Sequence, residues 1–402
     1  MKKISFIMPS RNGLKYLKWS YDSLRKNCDP GHEICMYDDF SNDGTWEWMQ
    51  ETLDKDPNVQ IFRNEGPIRL GHTILYDRLI ETATNEIVMI WHNDMYAAPK
   101  MDQEVLRSLK PKSIVSVTRI EPPLHPDGPE KIIMNFGIEP EDFMENNFIK
   151  FADDRAAYSH GITHGMFAPW AIYKEDFLAI GGHDPLYAPQ SREDSDIFNR
   201  FLLAGYKPIQ TWDTYVYHMT CRGSRFNPQL TQPGQASMEW LTHNRKSERN
   251  FTRKWGHMVK VDDKLKPIIP PKYDISFVVN NCTPELLDAL EPWCSHIYCD
   301  LSMDEINKYV TNENENTLYN IAARINPTTK PVGDIVVGFD GKKMTQQLFL
   351  TFITQLPQII ENVEKSDPGP GGFEYDIFSV DVRNIRHYEK DLIVVDKTKV
   401  VR

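Results

Sequence analysis

Short β-branched and apolar runs alternate along the first third of the chain with segments whose apolar positions recur at helical spacing. Ile4 to Met8 reads as a strand stopped by Pro9, and Ser10-Arg11-Asn12-Gly13 as a turn whose glycine supplies backbone angles that other residues avoid. Leu14, Leu17, Trp19, Tyr21 and Leu24 predict a helix, Glu33 to Tyr37 a second strand and Val59 to Arg63 a third. A helix from about Thr73 to Ala83 leads into Ile87-Val88-Met89-Ile90, a buried strand that ends abruptly at the polar tip His92-Asn93-Asp94. This alternation predicts an α/β fold with a parallel sheet and helices on both faces. In such sheets ligands bind beyond the carboxyl ends of the strands. Asn93 and Asp94 therefore stand where a metal-bound phosphate would be held.

Further on, Ser113 to Arg119 predicts another strand, and the proline-rich stretch Glu121 to Glu130 a loop. Phe143 to Ser159 is acidic and aromatic without a clear period, as loops shaping an acceptor site often are. Ile197, Phe198 and Phe201 give an apolar face to a helix beginning near Glu193, and Thr214 to Arg225 reads as a strand tip and a basic loop. Asp262 to Pro271 is charged and holds three prolines, as a linker would. That places a first domain at 1–261 and a second, smaller α/β domain of unassigned role at 272–402. In the latter, Ile275 to Asn280, His296 to Cys299, Asp334 to Phe339 and Tyr375 to Val380 predict strands. Pro284 to Leu290, Met303 to Tyr309 and Thr345 to Val363 predict helices, and Asp367 to Gly372 a surface loop.

The 402 residues suffice for two domains with cores of their own, and 40% hydrophobic with 26% charged residues is the composition of a globular protein. Net charge is −11, and residues 271–402 carry 13 basic against 20 acidic side chains. That argues against a nucleic-acid or anionic-membrane partner. The six cysteines are scattered without a CxxC pair, no run reaches the ~18 apolar residues of a membrane span, and the first residues lack a signal-peptide pattern. A cytoplasmic protein with reduced thiols is expected.

Three features carry candidate chemistry. Asp38-Asp39 ends the second strand and opens Phe40-Ser41-Asn42-Asp43-Gly44-Thr45, where Ser41 or Asp43 would cap a helix and Asp39 would accept from a nucleotide base. Gly181-Gly182 fits a close backbone approach to a ligand, and Glu193-Asp194 follows it. Acidic residues in a first helical turn also simply match the helix dipole, so that pair has a structural reading too. His218 ends a strand at the edge where the other groups collect.

In their order and spacing, Pro9-Ser10-Arg11-Asn12, Asp38 to Thr45 and His92-Asn93-Asp94 resemble the opening of inverting glycosyltransferases of family 2, which have the GT-A fold. The run from His164 through Gly181-Gly182 to Glu193-Asp194 is similar to the acceptor half of those enzymes. The resemblance covers about residues 1–260 and implies a GT-A nucleotide-binding sheet there. It implies Asp39 at the base, Pro9, Ser10 and Arg11 lining the nucleoside pocket, and Arg69, Asn93, Arg222 and Arg225 toward the diphosphate. Asp94 and His218 become the expected metal ligands, with His92 standing where the family often has the first aspartate of D-x-D. Asp194 becomes the general base, with Asp196 the substitute, and Gly182, Glu193 and Trp170 face the acceptor or sugar. Phe167 and Tyr187 are further aromatic candidates for sugar stacking.

The implied reaction moves a sugar from a nucleoside-diphosphate sugar to a glycan or glycosylated acceptor. The donor is expected to be a UDP-sugar, with GDP- or dTDP-sugars next, and the cation Mn²⁺ or Mg²⁺. Two other readings compete. A nucleotidyltransferase also places carboxylates at strand tips, though it needs no ordered acceptor base. A glycan-binding or scaffold protein that kept the fold without the activity would account for His92 and Asn93 in place of carboxylates.

Overall fold

The computed structural model describes residues 2–158, 161–223, 225, 235–326, 330–366 and 369–398. Asp367 and Pro368 of the expected surface loop lie outside the described residues. Two compact units emerge, one of residues 1–243 with 261–267 and one of 244–260 with 268–402. The boundary drawn from composition at 261 falls inside this interleaved region. Within the proline-rich stretch Val261 pairs with Pro267 as an isolated bridge, which keeps that segment with the first unit.

In chain order the first unit builds β1 (Ile4–Ser10), α1 (Leu14–Asn27), β2 (Glu33–Asp39), α2 (Thr45–Leu53), β3 (Val59–Asn64), α3 (His72–Thr82) and β4 (Ile87–Ile90). There follow β5 (Met95–Ala97), α4 (Met101–Ser108), β6 (Ser113–Glu121), β7 (Lys131–Ile133), α5 (Glu145–Ala157), β8 (Ile162–Thr163), β9 (Trp170–Tyr173), α6 (Lys174–Ala179), α7 (Glu193–Leu203) and β10 (Lys207–His218). Helix α8 (Met238–Trp255) leads into the second unit.

The main path of the first sheet runs β3-β2-β1-β4-β9-β6-β10-β5, with β7 on β6 and β8 on β10. Strands β3, β2, β1 and β4 are mutually parallel, β9 is antiparallel to both β4 and β6, and β10 is parallel to β6. The carboxyl ends of β1, β2, β3, β4, β6 and β10 therefore share one edge, which collects Ser10, Asp39, His92, Glu121 and His218. Between Thr211 and Tyr215 the register of β10 against β6 shifts at a bulge.

The core explains why the edge is well placed. Strands β1 and β4 are buried along their length because a parallel central strand has no solvent face. Trp91, fully buried just after β4, donates from Nε1 to Ser20 Oγ on α1 at 2.8 Å and meets Phe6 edge-on at 5.5 Å. Truncating such a side chain typically costs ~3–5 kcal/mol, so the residue before His92 is a firm anchor.

The stretch without period, Phe143 to Ser159, contains α5 rather than a loop. Phe148 and Ala152, four residues apart, are buried in an aromatic cluster with Tyr96, Phe136 and Tyr217. The remaining aromatics around them blurred the spacing.

The second unit contains β11 (Ile275–Asn280), α9 (Pro284–Leu290), β12 (His296–Cys299), α10 (Met303–Asn314), α11 (Ile321–Arg324), β13 (Ile325–Asn326) and β14 (Ile335–Asp340). It continues with α12 (Gln346–Thr351), α13 (Leu356–Ser366), β15 (Gly371–Tyr375) and β16 (Phe378–Val382), giving a six-stranded sheet ordered β13-β12-β11-β14-β16-β15. The single helix expected over 345–363 is two. Elsewhere in the second unit Glu291 is fully buried and ion-paired with Arg253 at 2.6 Å and with Arg324 at 2.6 Å. All six cysteines are free thiols. Among the described residues, no helix is long and apolar enough to cross a membrane.

Candidate active site

Three potential ligands converge where β4, β5 and β10 meet. Met95 pairs with His218, and the Met219 N–H donates to the Asp94 carbonyl at 3.0 Å, so the end of β10 is stitched to the tip beyond β4. His92, Asp94 and His218 each offer a ligand atom, all within 4.8 Å of one another. His218 Nε2 lies 3.4 Å from Asp94 Oδ1, and its Nδ1 lies 2.7 Å from Glu121 Oε1.

Glu121 is itself held by Lys131 Nζ at 3.0 Å and by the Arg119 guanidinium at 3.1 Å. Burial would raise its carboxyl, but the hydrogen bond and charge of His218, with Arg119 and Lys131, hold it well below the usual range. An ionised Glu121 accepts the Nδ1 proton and leaves the Nε2 lone pair facing Asp94 and His92, the arrangement that orients metal-binding imidazoles.

The charges agree with a cation-binding role. Burial alone would lower His218, yet Asp94 and Glu121 push it up to about 9, while Asp94 is lowered against its own burial by His218. His92 is pushed down to about 3, by burial first and then by His218. Without a cation the imidazolium of His218 takes that place. Two imidazoles and a carboxylate fit a divalent first-row ion with positions left for phosphate oxygens. His92, which the sequence reading treated as a departure from D-x-D, is thus a member of the donor set. Glu121, which the proline-rich pattern places in a loop, instead ends β6 beside the strand of His218.

On the donor side, Asn93 Nδ2 donates to Ser10 Oγ at 2.8 Å and tethers the β4 tip to the β1 turn. Gly13 does not need the special backbone angles expected of it, since its φ is −133°; a Cβ there would come within 2.8 Å of Asn93 Nδ2. Pro9 lies within β1 opposite Tyr37. Asp39 accepts from Asn64 Nδ2 at 2.8 Å, Leu70 N at 3.0 Å and Gly71 N at 2.9 Å, so it pins the loop that carries Arg69. Arg69 contacts Glu239 at 3.1 Å and Gln190 at 2.7 Å, and Arg11 lies 3.6 Å from Glu239. Asp43, expected to cap one helix, accepts from Thr45 N at 3.2 Å and from Leu14 N at 3.0 Å, serving the starts of α2 and α1.

On the acceptor side, Asp194 stands half-buried in the first turn of α7. Burial pushes its carboxyl up, opposed by His183, Arg119 and the Trp170 indole, whose N–H leans toward it without completing a hydrogen bond. Neighbouring Glu193 is raised to about 8 by burial and by Asp194, and its Oε2 has no partner. Burial first, then the charges of Asp194, Glu193 and Asp94, keep the Tyr76 phenol on α3 protonated.

Several expectations need correcting. Asp196 is fully buried, paired with Arg200 at 2.8 Å and with the Tyr187 hydroxyl at 3.2 Å, which excludes it as a substitute base. Trp170 is fully buried against Phe177, Phe198 and Phe201, closing its ring faces to a sugar. Tyr187 is likewise fully buried, and Phe167 is covered by the Arg119 guanidinium. Gly182 is required by the protein itself: at φ +66° a Cβ there would lie 2.3 Å from Asp77 Oδ2. Arg222 donates from Nε to the Ile138 carbonyl at 3.1 Å and pairs with Glu139 at 3.4 Å, while Arg225 covers the Trp240 ring at 4.3 Å.

Comparison with curated proteins gives no match. A solved structure of GalNAc-T7 with UDP, GalNAc and Mn²⁺ matches over 54% of this chain and 44% of that one, less than half its length, at 18% identity and a TM-score of 0.42. Residues 5–179 match the family described as glycosyl transferase family 2; the match takes in β1 to β4, the Asn93 tether, His92, Asp94 and Glu121, and stops short of Asp194 and His218. Over residues 5–179 the chain carries a glycosyl transferase family 2 domain.

Proposed function

We propose that the chain transfers a sugar with inversion, in a single displacement, from a nucleoside-diphosphate sugar to a hydroxyl of a glycan or glycosylated acceptor. The observation that carries this reading is the donor set of His92, Asp94 and His218, backed by Glu121. A divalent cation held there would offset the negative charge that gathers on the departing diphosphate. The imidazoles favour Mn²⁺ over Mg²⁺, which prefers an all-oxygen shell.

Asp194 removes the proton of the acceptor hydroxyl as that oxygen attacks the anomeric carbon from the face opposite the diphosphate. Burial makes its carboxylate a stronger base than one in water, and His183 and Arg119 keep the ionised form accessible. Arg69 and Arg11 supply cationic charge along the donor side, and Ser10 with Asn93 fixes the tip to which the nucleotide docks.

Calorimetry with UDP, GDP and dTDP, each with and without Mn²⁺, tests the donor half. Affinity for one nucleotide should rise with the cation, and no rise for any of them would remove the metal from the reading. With a transferred product in hand, NMR of its anomeric centre should show inverted configuration; retention would overturn the single displacement. Release of pyrophosphate from nucleoside triphosphates without sugar transfer would favour a nucleotidyltransferase instead.

A further inference from the structure

Helix α8 begins with a carboxylate set between two guanidinium groups. Ser237 Oγ accepts from Trp240 N at 3.2 Å and so caps the helix. Glu239, in the first turn, offers one oxygen, Oε1, both to Arg69 at 3.1 Å and to Arg11 at 3.6 Å. An acid in a first turn also matches the helix dipole, but the dipole does not call for two arginines. These come from separate loops, and two like charges held so close need an anion between them. Among the described residues Glu239 is the only acidic partner of Arg11. Arg69 has a second in Asp39 at 3.7 Å, a carboxylate already taken up by Asn64, Leu70 and Gly71, and its buried Nε completes no hydrogen bond.

The pair stands beside the cation ligands. Arg11 follows Ser10, whose hydroxyl holds Asn93, the residue between His92 and Asp94. Arg69 rides on the loop that Asp39 pins at the end of β2. A phosphate at this edge and the Glu239 carboxylate would seek the same two cations and repel each other. The pairing in place is easily given up, since the Glu239 and Arg11 side chains are 36% and 39% exposed and water screens their attraction. A phosphate brings more charge and a geometry that guanidinium groups match. We infer that Glu239 is an internal stand-in for a phosphate of the donor: it neutralises Arg11 and Arg69 in the free chain, competes with the diphosphate for them, and gives them up when the donor binds. This rests on the proposed place of Arg11 and Arg69 on the donor side.

Glu239→Gln removes the charge and keeps the shape. Wild-type chain and E239Q would be titrated calorimetrically with UDP, GDP and dTDP in Mn²⁺, and then with the nucleoside of whichever binds. Affinity for the diphosphate should rise about two- to fivefold in E239Q, the scale of one exposed ion pair. Nucleoside affinity and melting temperature should not change, because neither involves a phosphate meeting the two arginines. Unchanged diphosphate affinity in E239Q would overturn the inference. Weakened affinity would overturn it too, by making Glu239 a contact of the donor, and an equal gain for the nucleoside would show a carboxylate in the way of the base or ribose instead. Failure of the wild type to bind any of the nucleotides with Mn²⁺ would strike the functional reading first and this inference with it.

Discussion

In the first unit β3, β2, β1 and β4 lie side by side, and in the second β13, β12, β11 and β14 lie in the same order. The registers match too. Ile4 is opposite Ile87 as Ile275 is opposite Ile335, so Asp340 occupies the place that His92 holds, and Asn281 the place of Ser10. Even the tether between the two tips recurs with its sides exchanged, since Asn281 Nδ2 donates to Asp340 at 3.0 Å.

The chemistry at the two edges differs. Asp300 is consumed by the backbone N–H groups of Asn281 at 2.7 Å and Cys282 at 2.9 Å, and Asp340 also accepts from Lys342 N at 3.0 Å. The second edge satisfies itself, whereas the first leaves Glu193 Oε2 and His183 Nε2 buried without partners. Shared topology positions an edge, and groups left unsatisfied by their own fold mark where a ligand belongs.

The largest test of that contrast is Asp194→Asn. Turnover should fall about 10²–10⁴-fold while calorimetric nucleotide affinity stays put, and a loss of binding instead would place Asp194 on the donor side. In the second unit the charged groups should support folding. Arg253→Ala strips a partner from Glu291 and Glu313 and should cost about 3–5 kcal/mol in urea unfolding, because it leaves buried charge uncompensated.

The same network predicts acid sensitivity. Burial opposes ionisation of Glu291, yet Arg324, Arg253 and Arg249 lower it to about 2, from an ordinary value of 4.5. The unfolded chain then takes up that proton first, so stability from this group is full above pH 4.5 and is lost as pH falls toward 2. A chemical-denaturation series across that window that showed no added loss, compared with Glu291→Gln, would contradict it.

Smaller effects sharpen the edge comparison. Glu121→Gln should weaken Mn²⁺ binding about 10–100-fold, as losses of an imidazole's supporting carboxylate do, measured by Mn²⁺ titration of the folded protein. Asp340→Ala, at the equivalent position of the second sheet, should leave Mn²⁺ and nucleotide affinity unchanged. A drop there would mean the second edge also binds donor or metal.

Much of this was legible beforehand because strand and helix periods in the first hundred residues are clean, and a parallel α/β sheet dictates which ends gather. Asp94, Asp194 and His218 could be named on that basis with the resemblance. What escaped notice depends on pairing between distant segments. Strand β9 slots antiparallel between β4 and β6, which no local pattern in Trp170-Ala171-Ile172-Tyr173 specifies. Glu121 acquires meaning only beside His218, 97 positions away.

The offset in β10 between Thr211 and Tyr215 bears on how this chain tolerates change. Side chains alternate across a strand, so removing one residue there would swing the imidazole of His218 to the opposite face and bring Met219 into its place at the edge. A deletion well away from any reacting atom would thus displace the imidazole and the buried Tyr215, Val216 and Tyr217 together.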